Sequence, residues 1–235
     1  MPRRWAHTPT TQANLDVVGF SQASTMKKTA ILIDGEFFSI ALRHDLKLAR
    51  RPSAVETYEH ALRLADFGTE EIWRIFYYDS RPYTGIQRHP VTKRDIAFAH
   101  TEVAKSRAAF LDELGQMDLV ALRCGKAQPR GWKLSDAYLR QLRSGQLRPP
   151  LSNDYELRFE QKGVDMRIGI DVATLALNRY VDRIIVVTND TDLIPALKVA
   201  RRCGIQVVIA QIGSFNPHHD LVEDADFKRY YPVAA

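Results

Sequence analysis

Short apolar runs alternate with amphipathic stretches along most of this chain. Ala30-Ile31-Leu32-Ile33 is a compact, isoleucine-rich run that predicts a buried strand. Residues 36–49 follow with Phe37, Ile40, Ala41 and Leu48 as the apolar positions of a helix. Ser53-Ala54-Val55-Glu56 is a capping box, and Val55, Tyr58, Leu62 and Ala65 continue a helical stripe behind it. Residues 72–78 predict a second strand, 80–93 a loop, 95–114 a helix and 119–122 a third strand. Residues 163–178 predict a helix and 183–188 a fourth strand. A helix starting near Asp192, with Pro195 in its first turn, leads through Gly204 to a fifth strand at 205–209. Strands alternating with helices predict an α/β fold, a three-layer α/β/α sandwich on a mostly parallel sheet of about five strands.

Composition sets few further limits. The chain has 235 residues, 45% of them hydrophobic, enough for one sizeable core. Residues 27–235 are expected to form a single domain, with residues 1–26 as an N-terminal extension. No apolar run approaches the roughly 20 residues of a membrane span. Two cysteines, Cys124 and Cys203, lack metal-ligand spacing and suit a reducing, cytoplasmic setting.

The net charge is +5. A basic stretch from 124 to 161 contains Lys126, Arg130, Lys133 and Arg140, interleaved with Trp132, Tyr138 and Tyr155. It reads either as an insertion facing nucleic acid, with cations on phosphates and aromatic rings on bases, or as an ordinary solvated insertion.

The chemistry lies in aspartates at the ends of apolar runs. Asp34 follows the first strand, Asp190 and Asp192 follow the fourth, and Asp165 opens the helix after Lys162-Gly163-Val164. Parallel strands would bring these carboxylates to one carboxyl edge, the usual ligand position of open α/β sheets. Clustered carboxylates repel, so they favour a divalent cation. Asp171, Thr188, Asn189, Thr191, Lys162 and Glu36 are supporting candidates. No P-loop, dinucleotide fingerprint or Ser-His-Asp motif is present.

Ile33-Asp34-Gly35, Lys162-Gly163-Val164-Asp165, Thr188-Asn189-Asp190-Thr191-Asp192 and Arg201-Arg202-Cys203-Gly204-Ile205 together resemble the NYN domain family of PIN-like nucleases. The resemblance runs from about Thr29 to about Tyr230. It implies a PIN-like fold, Mg²⁺ or Mn²⁺ held by Asp34, Asp165, Asp190 and Asp192, and endoribonuclease cleavage of RNA, here expected to be single-stranded. One position departs: the family often has asparagine two residues after the aspartate-glycine pair, and this chain has Phe37. That departure motivates the alternative of an RNA-binding, regulatory module with weak catalysis. The expected setting is cytoplasmic, away from membranes, and a homo-oligomer is compatible with it.

Overall fold

The computed structural model describes residues 26–233, so the expected N-terminal extension lies outside the described residues except for Met26. The chain runs β1 (Lys27–Asp34), α1 (Gly35–Asp45), α2 (Ala54–Leu62), β2 (Glu70–Arg81), β3 (Ile86–Arg88), β4 (Asp95–Ala97), α3 (Glu102–Leu114), β5 (Val120–Leu134), α4 (Asp136–Arg143) and β6 (Tyr155–Lys162). It continues through α5 (Val164–Leu177), β7 (Arg183–Val187), α6 (Ile194–Arg202), β8 (Gln206–Ile212), α7 (His219–Glu223) and β9 (Phe227–Tyr231).

The central sheet has seven strands in the order β6-β5-β2-β1-β7-β8-β9. All neighbours are parallel except β5 and β6. Helices cover both faces, as the apolar runs of the central strands require. Ile31, Ile33, Tyr77, Ile185 and Val187 pack with Phe38, Leu42, Leu64 and Leu111 on one face. Ala30, Leu32, Phe76, Tyr78, Ile184 and Val186 pack with Ile168, Val172 and Leu197 on the other. The period-two alternation along β1 therefore sends Asp34 toward the face that carries α5 and α6.

Seven strands replace the expected five, and the difference lies at the sheet edges. β6 reads Tyr-Glu-Leu-Arg-Phe-Glu-Gln-Lys, of which only Leu157 is buried. β9 is likewise mostly exposed. Edge strands of this kind lack the apolar run that marks a buried strand. The stretch 124–161, expected as a basic insertion, is built into the sheet. Its first part extends β5 to Leu134, and its last part returns antiparallel as β6. The predicted loop at 80–93 contains β3, which pairs with β4, and the helix expected from 95 begins at Glu102.

Two helices turn by one position from the expected stripe. In α1 the buried residues are Phe38, Ala41 and Leu42, while Ile40 is exposed. In α2 they are Ala54, Thr57, His60 and Ala61, while Val55 is exposed. Phe37, Tyr58 and Leu62 of the expected stripes still pack against the core as partly buried residues, and Ala65 is buried in it. The capping box itself is present, with Ser53 and Glu56 each accepting the other's amide.

The opposite, amino edge is fixed by a buried ion cluster. Glu70 is fully buried and accepts hydrogen bonds from Arg183 and Arg229. Burial pushes its carboxyl up, but Arg229, the Asp66 amide and Arg183 outweigh burial and hold it at about 2. Among the described residues, no helix is long and apolar enough to cross a membrane.

Candidate functional site

β1 sits where the order of the sheet reverses. From β1 the chain proceeds to β2 and β5 on one side, and β7, β8 and β9 occupy the other. α1, which follows β1, packs on one face, and α6, which follows β7, packs on the other. Such a switch point opens a crevice at the carboxyl ends of the two strands. β1 and β7 pair through Ile33 and Val187, so Asp34 and the Thr188–Asp192 segment leave the sheet side by side. α5 begins at the same edge and runs back across the sheet, with Val164, Ile168 and Val172 against it.

Asp34 is the N-cap of α1. Its Oδ1 accepts the Glu36 amide at 3.1 Å and the Phe37 amide at 3.2 Å. Gly35 permits the turn to seat closely, since a Cβ there would lie 2.6 Å from the Tyr77 ring. Burial raises the Asp34 carboxyl from 3.8 to about 6, against the pull of the two amides. The charges of Asp165 and Glu36 raise it further. Asp165, exposed in the first turn of α5, is itself raised by desolvation and then by Asp190 and Asp192.

Asp190 is half-buried and accepts the Asp192 amide at 2.9 Å, while the fully buried Thr188 accepts the Asp190 amide at 3.1 Å. Asp192 is exposed at the start of the turn leading into α6. Thr191 is half-buried in the same turn. Asn189 accepts the His218 amide at 2.7 Å and so ties the loop after β8 to this edge. Sequence gave no signal for that tie, which joins residues far apart in the chain.

Among the described residues, none of Asp34, Asp165, Asp190 and Asp192 has a basic partner within salt-bridge distance. They share one edge and one electrostatic field without sharing a closed set of ligand atoms. Among those residues, the one group of three or more donors within 4.8 Å of one another is His219, Asp220 and Glu223, all exposed. These three belong to the single short helix α7, whose local spacing accounts for their proximity. The four aspartates are not in that group. Their donor chemistry nevertheless fits a hard cation: all are carboxylates, and hard divalent ions prefer oxygen ligands.

Two supporting candidates, Asp171 and Glu36, have other occupations, as do Phe37 and Asp79. Asp171 lies about 9 Å along α5 from Asp165. It accepts from Tyr78 Oη at 2.9 Å and Arg123 Nε at 3.0 Å. Glu36 is held by both terminal nitrogens of Arg51 at 2.9 and 3.0 Å. Phe37 packs edge-on to Phe215, with centroids 6.2 Å apart, and joins the core. Asp79, at the end of β2, is buried and paired with Arg107.

The basic stretch is also rearranged by folding. Arg130 pairs with Glu160 and Lys133 with Glu156, across the β5–β6 ribbon. Lys126 and Arg140 are exposed and form no side-chain ion pair among the described residues. The aromatics are not free platforms for bases. Tyr138 is buried and donates to the Arg148 carbonyl, and Trp132 packs edge-on to His89 at 4.8 Å. They serve a small satellite core that the sequence pattern did not separate from a binding surface.

The NYN domain model matches residues 133–231. The match contains Asp165, Asp190 and Asp192 and excludes the Asp34 turn, where Phe37 departs from the family pattern. A search of curated proteins finds no match. One solved structure, a protein of unknown function from Vibrio parahaemolyticus, is similar at 14% identity and TM-score 0.47, covering 89% of this chain and 95% of that one.

Proposed function

Residues 133–231 belong to the NYN domain family, one associated with nuclease activity, and from that premise we propose that the protein is a metal-dependent ribonuclease acting on single-stranded RNA. The observation that carries this reading is the set of four carboxylates at the β1/β7 switch point, without basic partners among the described residues and with the carboxyls of Asp34 and Asp165 raised by burial and by neighbouring acids.

Asp34, Asp165, Asp190 and Asp192 would hold the cation. Bound Mg²⁺ or Mn²⁺ would supply a water acidified for attack and positive charge beside the phosphoryl oxygens. Asp34 supplies the floor of the site, its position fixed by the two α1 amides. Its carboxyl is raised by burial, and a bound cation would hold it ionised. Asp165 is exposed and reachable by a phosphodiester. Thr188 fixes the Asp190 turn, and Asn189 fixes the neighbouring loop. Hydrolysis then requires no nucleophile from the protein.

The test is cleavage of fluorescent single-stranded RNA with Mn²⁺. Asp34→Asn keeps a competent N-cap and removes the ligand charge, so cleavage should vanish while the circular dichroism spectrum is retained. Undiminished cleavage by a pure Asp34→Asn preparation rejects the assignment.

A second reading is an RNA-binding module with weak catalysis. It is favoured by Phe37, an apolar side chain packed on Phe215 where the family often carries asparagine. In the same assay that reading predicts Mn²⁺-independent binding without product.

A further inference from the structure

α5 has the composition of a buried helix but is covered on one side only. Val164, Ile168, Val172 and Leu175 face the sheet, and the flank of the helix meets α6, where a Cβ on Gly169 would lie 3.8 Å from the Ala196 Cβ. The side facing away from the sheet is apolar too. Met166, Ile170, Ala173 and Leu177 follow one another at helical spacing, which places them on one outward stripe. Met166 and Leu177 are each 69% exposed and Ile170 is 55% exposed. The polar residues of α5, which are Asp165, Arg167, Asp171 and Thr174, lie off that stripe. A helix that is apolar all round is normally buried all round.

Charge divides the two ends of this surface. α5 and α6 both begin at the carboxyl edge and run the same way, so Asp165 and Asp192 mark one end. Arg179 and Arg202 mark the other. Both are exposed, and neither forms an ion pair among the described residues. Arg179 directly follows the Asn178 C-cap with a φ of 52°. Left-handed backbone at that position favours glycine, so the chain keeps a cation there against some strain. The stripe also has the spacing of a self-complementary contact. A twofold axis between Asp171 and Val172 exchanges Met166 with Leu177 and Ile170 with Ala173. It sets Asp165 opposite the partner's Asn178 and next to the partner's Arg179, with the two helix dipoles opposed.

We propose that the outward stripe of α5 is the twofold interface of a homodimer, in which a second copy of this chain packs antiparallel along it, acidic end against basic end. A second copy fits better than a dissimilar partner, because one surface carries both halves of the contact. The apolar spacing reads the same in both directions, and the two ends are opposite in charge. The same operation lays α6 along the partner's α6, again with Asp192 toward the arginine end. The inference does not depend on the ribonuclease reading.

The experiment is sedimentation equilibrium of the full chain over a micromolar concentration series. Wild type should approach twice the monomer mass. Ile170→Glu/Leu177→Glu should sediment as a monomer with the wild-type circular dichroism spectrum, its dissociation constant raised about a hundredfold or more. Cysteine cross-linking with diamide reads the direction. Met166 and Leu177 are about 16 Å apart along one helix, so a mixture of Met166→Cys and Leu177→Cys should form a disulfide-linked dimer. Either variant alone should give no more than the native cysteines of wild type. A wild type that stays monomeric overturns the proposal and leaves the stripe to residues 1–25 or to a different protein. A dimer that survives Ile170→Glu/Leu177→Glu is held elsewhere and overturns it as well. Should that variant misfold, the cross-linking decides: a mixture no better linked than its components overturns the antiparallel contact.

Discussion

Asp165, in the first turn of α5, adds to the burial that raises the carboxyl of Asp34 at the end of β1, although three strands of the central sheet are built between them in sequence. Asp165 in turn is raised by Asp190 and Asp192. The three segments thus share one field, and that sharing has measurable consequences.

A cation that relieves this repulsion should stabilise the fold. Mn²⁺ at about 100 times its dissociation constant should add about 2.7 kcal/mol. Asp165→Asn should lose most of that gain. Thermal unfolding with and without Mn²⁺, followed by circular dichroism, checks it; an equal shift in the variant would place the cation elsewhere.

Asp171 should separate from the site aspartates. Its carboxylate is taken by Arg123 and Tyr78. Asp171→Ala should destabilise the protein by about 1–3 kcal/mol, because it leaves the hydroxyl of the buried Tyr78 and the Arg123 guanidinium without their acceptor. Mn²⁺-dependent cleavage at a temperature where the variant is folded should stay within a few-fold of wild type. Urea denaturation and an initial-rate assay make the comparison.

Phe37→Asn restores the residue the family often carries but removes packing on Phe215 and the core. The expected loss is about 1–3 kcal/mol, with no gain in cleavage rate, since the side chain at 37 lies against Phe215. A clear rate increase in the variant would show instead that the missing amide limits catalysis.

Glu70 predicts an acid limit to stability. Its folded carboxyl sits at about 2, below its ordinary 4.5. The unfolded chain takes up the proton first as pH falls, so the contribution is complete above about 4.5. It is lost between there and about 2, and amounts to about 3 kcal/mol. Glu70→Gln should flatten stability against pH across that window and lower it by about 3–5 kcal/mol at neutral pH, because Arg183 and Arg229 are left without their charge partner. Urea melts at pH 3, 4 and 7 test both parts.

Gly125 should tolerate no side chain. With the Lys162 carbonyl oxygen 2.5 Å from the Cβ position, Gly125→Ala must shift β5 or the β6–α5 junction. The expected cost is about 1–3 kcal/mol, read by denaturation.

Local pattern was sufficient for the central strands and for the site aspartates as positions at strand ends. A buried parallel strand must be apolar on both faces, and a carboxylate directly after one has few inexpensive fates; Ala30–Asp34 and Ile184–Asp190 declare both. The capping box at Ser53 and the Gly204 stop are equally local. The edge strands β6 and β9 were not legible as strands, because half-exposed residues carry no strong period. Sequence ranked Asp165 above Asp171 but could not show what occupies the second, since Arg123 and Tyr78 come from distant strands to claim it. Tertiary structure alone decided which cations are paired with acids. Arg130 and Lys133 meet acids across the ribbon, while Lys126 and Lys162 meet each other, because strand register brings together charges that sequence spacing keeps apart.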